Sequence, residues 1–286
     1  MTKRDSALLS RLTKGLGAQG YSQVVQIFIR LAEVPLLLGF WGTRLYGEWL
    51  MLAAIPAYFA IADGGFAGVA SREMCMRSGA GDRSGALSIF QSTWPLLLIF
   101  SLCIGSLALV AVMNVPLHEW LGFKVMDSNT TKLVTLLLVA HVLVGFQGGL
   151  VNGGFWCEGR YAKGEVLLST MYLMEFGGLA LAVALDGGPV KAAIGYLVGR
   201  IGGLFLMRLG LYRATPWLRY GWRFAAVGEV RHLAWPAVAS LAFPLGNALN
   251  IQGMRLVVGL VIGPPAVGVL YDTHTHTTGY AAERNY

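Results

Sequence analysis

Residues 20–42, GYSQVVQIFIRLAEVPLLLGFWG, decide how the rest of the chain is read. The stretch is mostly apolar and just over twenty residues long, enough to cross the roughly 30 Å hydrocarbon core of a bilayer as one helix. Near its middle sit Arg30 and Glu33, with Gln23, Gln26 and Pro35 around them. A charge at bilayer depth costs about 3 kcal/mol on insertion scales, so it faces protein or a watery cavity. The i, i+3 spacing puts Arg30 and Glu33 on one helix face. Two readings stay open: a structural ion pair between helices, or an arginine that lines a polar path through the membrane.

Composition agrees with a membrane origin. Only 13% of the 286 residues are charged and 55% are hydrophobic, with a mean hydropathy of +0.59. Soluble domains carry about 25% charged residues. The 38 glycines and 8 tryptophans suit close helix packing and interfacial anchoring. Cys75, Cys103 and Cys157 are far apart in sequence, in neither a disulfide framework nor a zinc spacing. No metal or other cofactor is expected, and no cleavable leader is expected at the N-terminus.

Outward from the opening helix, Trp41, Arg44, Tyr46 and Trp49 form an interfacial aromatic group. A second span is expected from about 47 to 62, stopped by Asp63-Gly64-Gly65. A polar loop over 71–86 precedes a third span at about 94–115. The fourth, 133–156, holds His141, Gln147 and Asn152; the fifth, 166–185, buries Glu175; the sixth, 192–207, contains Arg200. A basic, tryptophan-bearing connection follows, and a new apolar stretch runs from 234 to 270 with Arg255 inside it.

Assigning the loops to alternate sides places fourteen lysines and arginines on the N-terminal side and four (Arg44, Lys124, Lys132, Lys191) on the other. This positive-inside bias puts the N-terminus in the cytoplasm of a multi-pass inner-membrane protein. It also accounts for the net charge of +7 through contact with anionic membrane lipid, with no nucleic-acid partner. Glycines five apart at Gly42 and Gly47 recur at Gly263 and Gly268, each pair ending an arginine-bearing apolar stretch. Such an echo implies parallel repeats with a site at their interface.

The run LAEVPLLLGFWGTRLYGEWLMLAAIPAYFAIADGGFAGVASREM, with GDRSGALSIFQSTW after it and LAWPAVASLAFPLGNALNIQGMRLVVGLVIGPPAVGV later, resembles the Wzx-type O-antigen and polysaccharide flippases. These belong to the multidrug/oligosaccharidyl-lipid/polysaccharide exporter superfamily. The resemblance spans about 15–270 and rests on glycines, prolines and aromatics. It implies an all-α integral membrane protein with a two-lobe MATE-like transporter fold. Residues 1–213 would be a complete six-helix lobe, 214–233 a cytoplasmic basic connection, and 234–270 the first helix of a second lobe. The implied activity is transport, not enzymatic catalysis: translocation of undecaprenyl-pyrophosphate-linked oligosaccharide across the bacterial inner membrane for surface polysaccharide or lipopolysaccharide synthesis.

Cationic cavity residues of that family meet the anionic head group, and Arg30, Arg200 and Arg255 are the positions here that could serve. Guanidinium suits pyrophosphate because it stays charged and offers planar paired donors. Each has a plainer reading beside it: Arg200 neutralised by Glu175, and Arg255 snorkelling to the interface. His141 is read as hydrogen-bonded to a neighbouring helix or as a proton relay. Asp63 is read as a helix-end contact or a coupling-ion ligand, with Glu33 and Glu175 as further coupling or ion-pair candidates.

The family pattern breaks at YDTHTHTTGYAAERNY, residues 271–286. Under one choice of synonymous codons, that tail shifted by one base resembles the family's eighth helix, so a frameshifted, truncated chain is expected. Alone it is expected to be inactive, or to survive by pairing with a second copy. Two other classes stay in view. An efflux carrier for amphipathic cations would need acidic excess in its cavity. A membrane-embedded glycosyltransferase or polymerase would need paired carboxylates or a His/Asp cluster.

Overall fold

The computed structural model describes residues 3–240 and positions 246, 253, 254, 256–258 and 260–262. Among the described residues there is helix and no strand. The elements are α1 (Lys3–Gly79), α2 (Arg83–Asn114), the short α3 (Leu117–Trp120), α4 (Ser128–Cys157), α5 (Tyr161–Ala184), α6 (Pro189–Ala214) and α7 (Val227–Ser240). Five of them, α1, α2, α4, α5 and α6, are long and apolar enough to cross a membrane. The chain is thus an all-helical, multi-pass membrane-type protein.

At 77 residues, α1 would stretch about 115 Å if it were straight. It is not straight, because Gly42 sits at φ 70°, ψ 174°, a backbone state open essentially to glycine alone. Contacts on either side show what the break does. Along the first arm (3–41), the Tyr161 hydroxyl donates to Gln19 at 2.8 Å, Phe28 meets Phe176 edge-on at 6.0 Å, and Trp41 Nε1 donates to the Gly187 carbonyl. This arm therefore runs alongside α5 in the same direction. Along the second arm (43–79), Glu48 touches 124–126, Ser71 reaches the Gly149 carbonyl, and Ser78 donates to the Cys157 carbonyl. That arm runs with α4. Since α4 and α5 are joined by a short turn at 158–160, the two arms are antiparallel, and α1 is a helical hairpin folded at Gly42.

The expected stop at Asp63-Gly64-Gly65 does not occur. The backbone stays helical through both glycines to Gly79, so the polar sequence after 71 forms the end of a helix. Glycines inside membrane-type helices are tolerated where neighbours satisfy the backbone. For the same reason α2 begins at Arg83 and contains Pro95. Asp82 caps it, accepting from the Gly85 amide at 2.8 Å, and Asp127 caps α4 through the Asn129 and Thr130 amides. Those bonds, to Gly85 and Ser84 in one case and to Thr130 first in the other, hold both carboxyls below the usual aspartate range.

The connection after α6 is short and fastened down, since α7 begins at Val227. Gln91 of α2 donates to the Arg219 carbonyl and accepts from the Phe224 amide, and Trp94 donates to the Gly221 carbonyl. Arg77 makes a bidentate pair with Glu229 of α7 at 2.8 and 2.9 Å. These contacts gather the 158–160 turn, residues 215–226 and most of the basic residues at one end of the bundle.

α4 is the central helix; 61% of its most apolar window is buried, against 17–28% in the other four. α5 and α6 approach most closely. A Cβ on Gly195 would lie 2.2 Å from the Gly178 carbonyl oxygen, one on Gly199 2.2 Å from that of Met174, and one on Gly203 2.4 Å from the Met171 side chain. This i, i+4, i+8 stripe brings two backbones into contact, as small residues do in membrane helix pairs. Among the described residues the two larger apolar clusters surround Leu37, Tyr46, Trp49, Phe123 and Leu179 and, at the basic end, Met74, Phe90, Phe155, Met171 and Leu211; a smaller third holds Ala108, Val139, Leu143 and Phe146.

Candidate functional site

Between the two larger clusters lies a charged group. Arg30, His141, Glu175 and Arg200 each lie twelve to fourteen residues in from the end that holds Gly42, Asp127 and Gly188. At 1.5 Å per residue that is about 18–21 Å, near the middle of their helices and within a bilayer core. The close α5–α6 packing sets Glu175 and Arg200 face to face, with Arg200 Nε 3.1 Å from Glu175 Oε1. Its donated hydrogen goes instead to His141 Nε2, also at 3.1 Å. The same ring nitrogen stands 3.2 Å from Glu175 Oε2. Tyr196 stacks on the imidazole with ring centres 3.9 Å apart. Opposite the arginine, α4 has a glycine: a Cβ at Gly145 would be 3.2 Å from the guanidinium carbon.

The side chains of His141 and Glu175 are 5% and 4% exposed, and that of Arg200 is 15% exposed. Charges so far from solvent are expensive unless paired, and the triad pairs them. Its chemistry follows from one ring nitrogen with two suitors. Guanidinium only donates and a carboxylate only accepts, so His141 Nε2 serves one at a time. Protonated at Nδ1, the ring accepts from Arg200; protonated at Nε2, it donates to Glu175. Moving one proton therefore changes which neighbour the ring holds.

Glu175 also opens onto a cavity of about 320 Å³ whose polar lining is Gln26, Arg30, Glu33, Tyr172, Glu175 and Tyr196. A second cavity of about 220 Å³ lies on the Arg200 side, lined by Gly145, Asn152, Tyr172 and Arg200. Tyr172 and the Arg200–Glu175 pair thus stand between the two.

The sequence candidates sort as follows. His141, Glu175 and Arg200, on three different helices, come together. Arg30 and Glu33 share the larger cavity, both on its lining. Arg30 is exposed, and Ile29 and Glu33 lie beside it on the lining. Arg255 lies outside the described residues, as does the side chain of Asp63, whose backbone is helical within α1. The second glycine pair at 263–268 is also outside them. Among the described residues no group of three or more His, Cys, Asp or Glu could hold a metal ion.

Sequence reasoning missed Glu48, which is fully buried. Its carboxylate accepts from the backbone amides of Lys124, Val125 and Met126 at 2.8, 3.0 and 2.8 Å, tying the second arm to the loop before α4. Glu165 was missed as well; it is buried and accepts from Asn152 at 3.2 Å. The only hint in either case is a carboxylate inside or beside an apolar run. Tyr172 and Tyr196 gave no signal, since tyrosines recur throughout such helices.

Comparison of the chain with protein-family models, with curated proteins and with solved structures finds no match.

Proposed function

We propose that this bundle belongs to a carrier that moves a lipid-linked anionic glycan, an undecaprenyl-pyrophosphate-linked oligosaccharide, across the bacterial inner membrane. In this reading the α1 hairpin with α2, α4, α5 and α6 is the first lobe of a two-lobe MATE-like transporter, its N-terminus is cytoplasmic, and it performs no covalent chemistry. The second lobe begins in the stretch 234–270. The observation that carries the reading is Arg30, an exposed arginine at mid-depth on an apolar arm, beside a polar cavity. Such a charge is stable in a membrane when it faces water, protein or an anion, and a pyrophosphate supplies the anion. Rocking of one lobe against the other around a midplane site would then carry the head group across.

The test is export. In cells that depend on this carrier for surface polysaccharide, Arg30→Gln should lower export at least about tenfold, since a charge-assisted hydrogen bond contributes about 1.5–3 kcal/mol. Protein level in the membrane should stay the same. Normal export by Arg30→Gln at native expression would remove the pyrophosphate role.

A second reading, efflux of amphipathic cations by the same fold, is favoured by the rest of the lining. Glu33 and Glu175 stand there with Tyr172, Phe176 and Tyr196, and aromatic faces beside carboxylates suit a cation. Under that reading Glu33→Gln abolishes drug resistance and Arg30→Gln leaves it intact.

A further inference from the structure

Two of the three cysteines, remote in sequence, meet at the basic end of the bundle. Cys75 Sγ on the second arm of α1 is 3.7 Å from Cys157 Sγ at the end of α4, across 82 residues of chain. The meeting is built into the helix packing. One turn earlier Ser71 lies against Gly153, where a Cβ would be 2.0 Å from the serine oxygen, and glycine there permits the close crossing. Four residues on, along two helices running the same way, the next side chains to face each other are the two thiols. Both also reach the Gly153 carbonyl, at 4.0 Å and 3.3 Å, and both are partly accessible. Cys103, the third, is exposed on α2 and away from them.

We propose that Cys75 and Cys157 are a redox-active dithiol that closes into an intramolecular disulfide and clamps the second arm of α1 to α4. Closing from 3.7 Å to a bond of about 2.05 Å takes a movement of about 1.7 Å, within reach of side-chain rotation and slight helix adjustment. The oxidant is a small-molecule disulfide. One protein thiolate attacks it and expels a thiol, leaving a mixed disulfide. The second protein thiolate then attacks the protein sulfur of that mixed disulfide and expels the other half. One sulfur–sulfur bond forms in the protein and one is lost from the oxidant; two electrons pass to the oxidant, and the two thiol protons end on its two released thiols. A cytoplasmic basic end would keep the pair reduced at rest and oxidise it only under challenge. The clamp would act at the end where residues 215–226 and α7 are fastened.

The test uses the full chain, purified in detergent, treated with oxidised glutathione, alkylated, and digested without reductant. Expected is a single linked peptide pair joining Cys75 to Cys157, with Cys103 alkylated. The thermal midpoint should rise by about 5 °C and return when dithiothreitol is added. Cys75→Ser and Cys157→Ser should each lose the link and the shift, while Cys103→Ser keeps both. Recovery of Cys75 and Cys157 as separate alkylated or glutathionylated peptides overturns the proposal, as does a link to Cys103 or to a second copy. A Cys75–Cys157 link that leaves the midpoint unmoved overturns the clamp.

Discussion

Arg200, Glu175 and His141 show how a charge is kept in an apolar bundle. Opposite charges hold the pair Arg200–Glu175, while the guanidinium donates its Nε–H to the imidazole of His141. Removing one member leaves the other buried and uncompensated, which costs about 3–5 kcal/mol. Glu175→Gln is therefore expected to unfold early in a detergent-based denaturation series. The double variant Glu175→Gln/Arg200→Gln should fall short of the summed single losses by about 1 kcal/mol or more; additive losses would mean that the two do not interact. The Arg200–Glu175 partnership was legible in sequence, because two opposite charges in consecutive apolar spans have few other partners. His141 as the third member was not, since its helix precedes theirs and only packing sets the rotation of α4. Glu48 was illegible for a deeper reason. Its partners are three backbone amides of 124–126, and the amide of one residue looks in sequence like that of any other.

The helices themselves were mostly legible, and their ends less so. Long apolar runs marked real spans, and Gly42, read as closing the first of them, is where α1 folds back. Gly64 and Gly65 carried the same local signal and ended nothing, because a glycine breaks a helix only where the chain needs the conformation. At the α5–α6 interface glycine is used for space, not for conformation. Gly199→Ala would drive a methyl to 2.2 Å from the Met174 carbonyl oxygen and 2.6 Å from the Glu175 Cα. Both are backbone atoms, so the helices must part. A loss of about 1–3 kcal/mol is expected, measured by the same unfolding series. The control is Gly177→Ala on the outer face of α5, where a Cβ meets nothing within 4 Å; it should be neutral or slightly stabilising, as alanine is the better helix former. Equal losses at both positions would count against the stripe as a packing device.

At the scale of the whole molecule the charge pattern and the geometry agree. The basic turn at 158–160 and the arginines around 213–231 gather at one end, and 115–127 and 186–188 at the other, which was legible from loop composition alone. Orientation in the cell is then a matter of labelling. In a background without native cysteines, Asn129→Cys should react with an impermeant thiol reagent in intact spheroplasts, and Ala80→Cys only after the membrane is opened. The opposite pattern would turn the protein over. The hairpin at Gly42 also has a bearing on how the molecule is born. Synthesis delivers its two arms first, yet each arm's resting place is made much later. Trp41 waits for a carbonyl 146 positions downstream, Gln19 for a hydroxyl 142 positions downstream. Until α4 and α5 leave the ribosome, the first arm holds Arg30 and Glu33 with no lining built around them. Contacts between such distant parts close late, so the order of translation becomes part of the folding pathway.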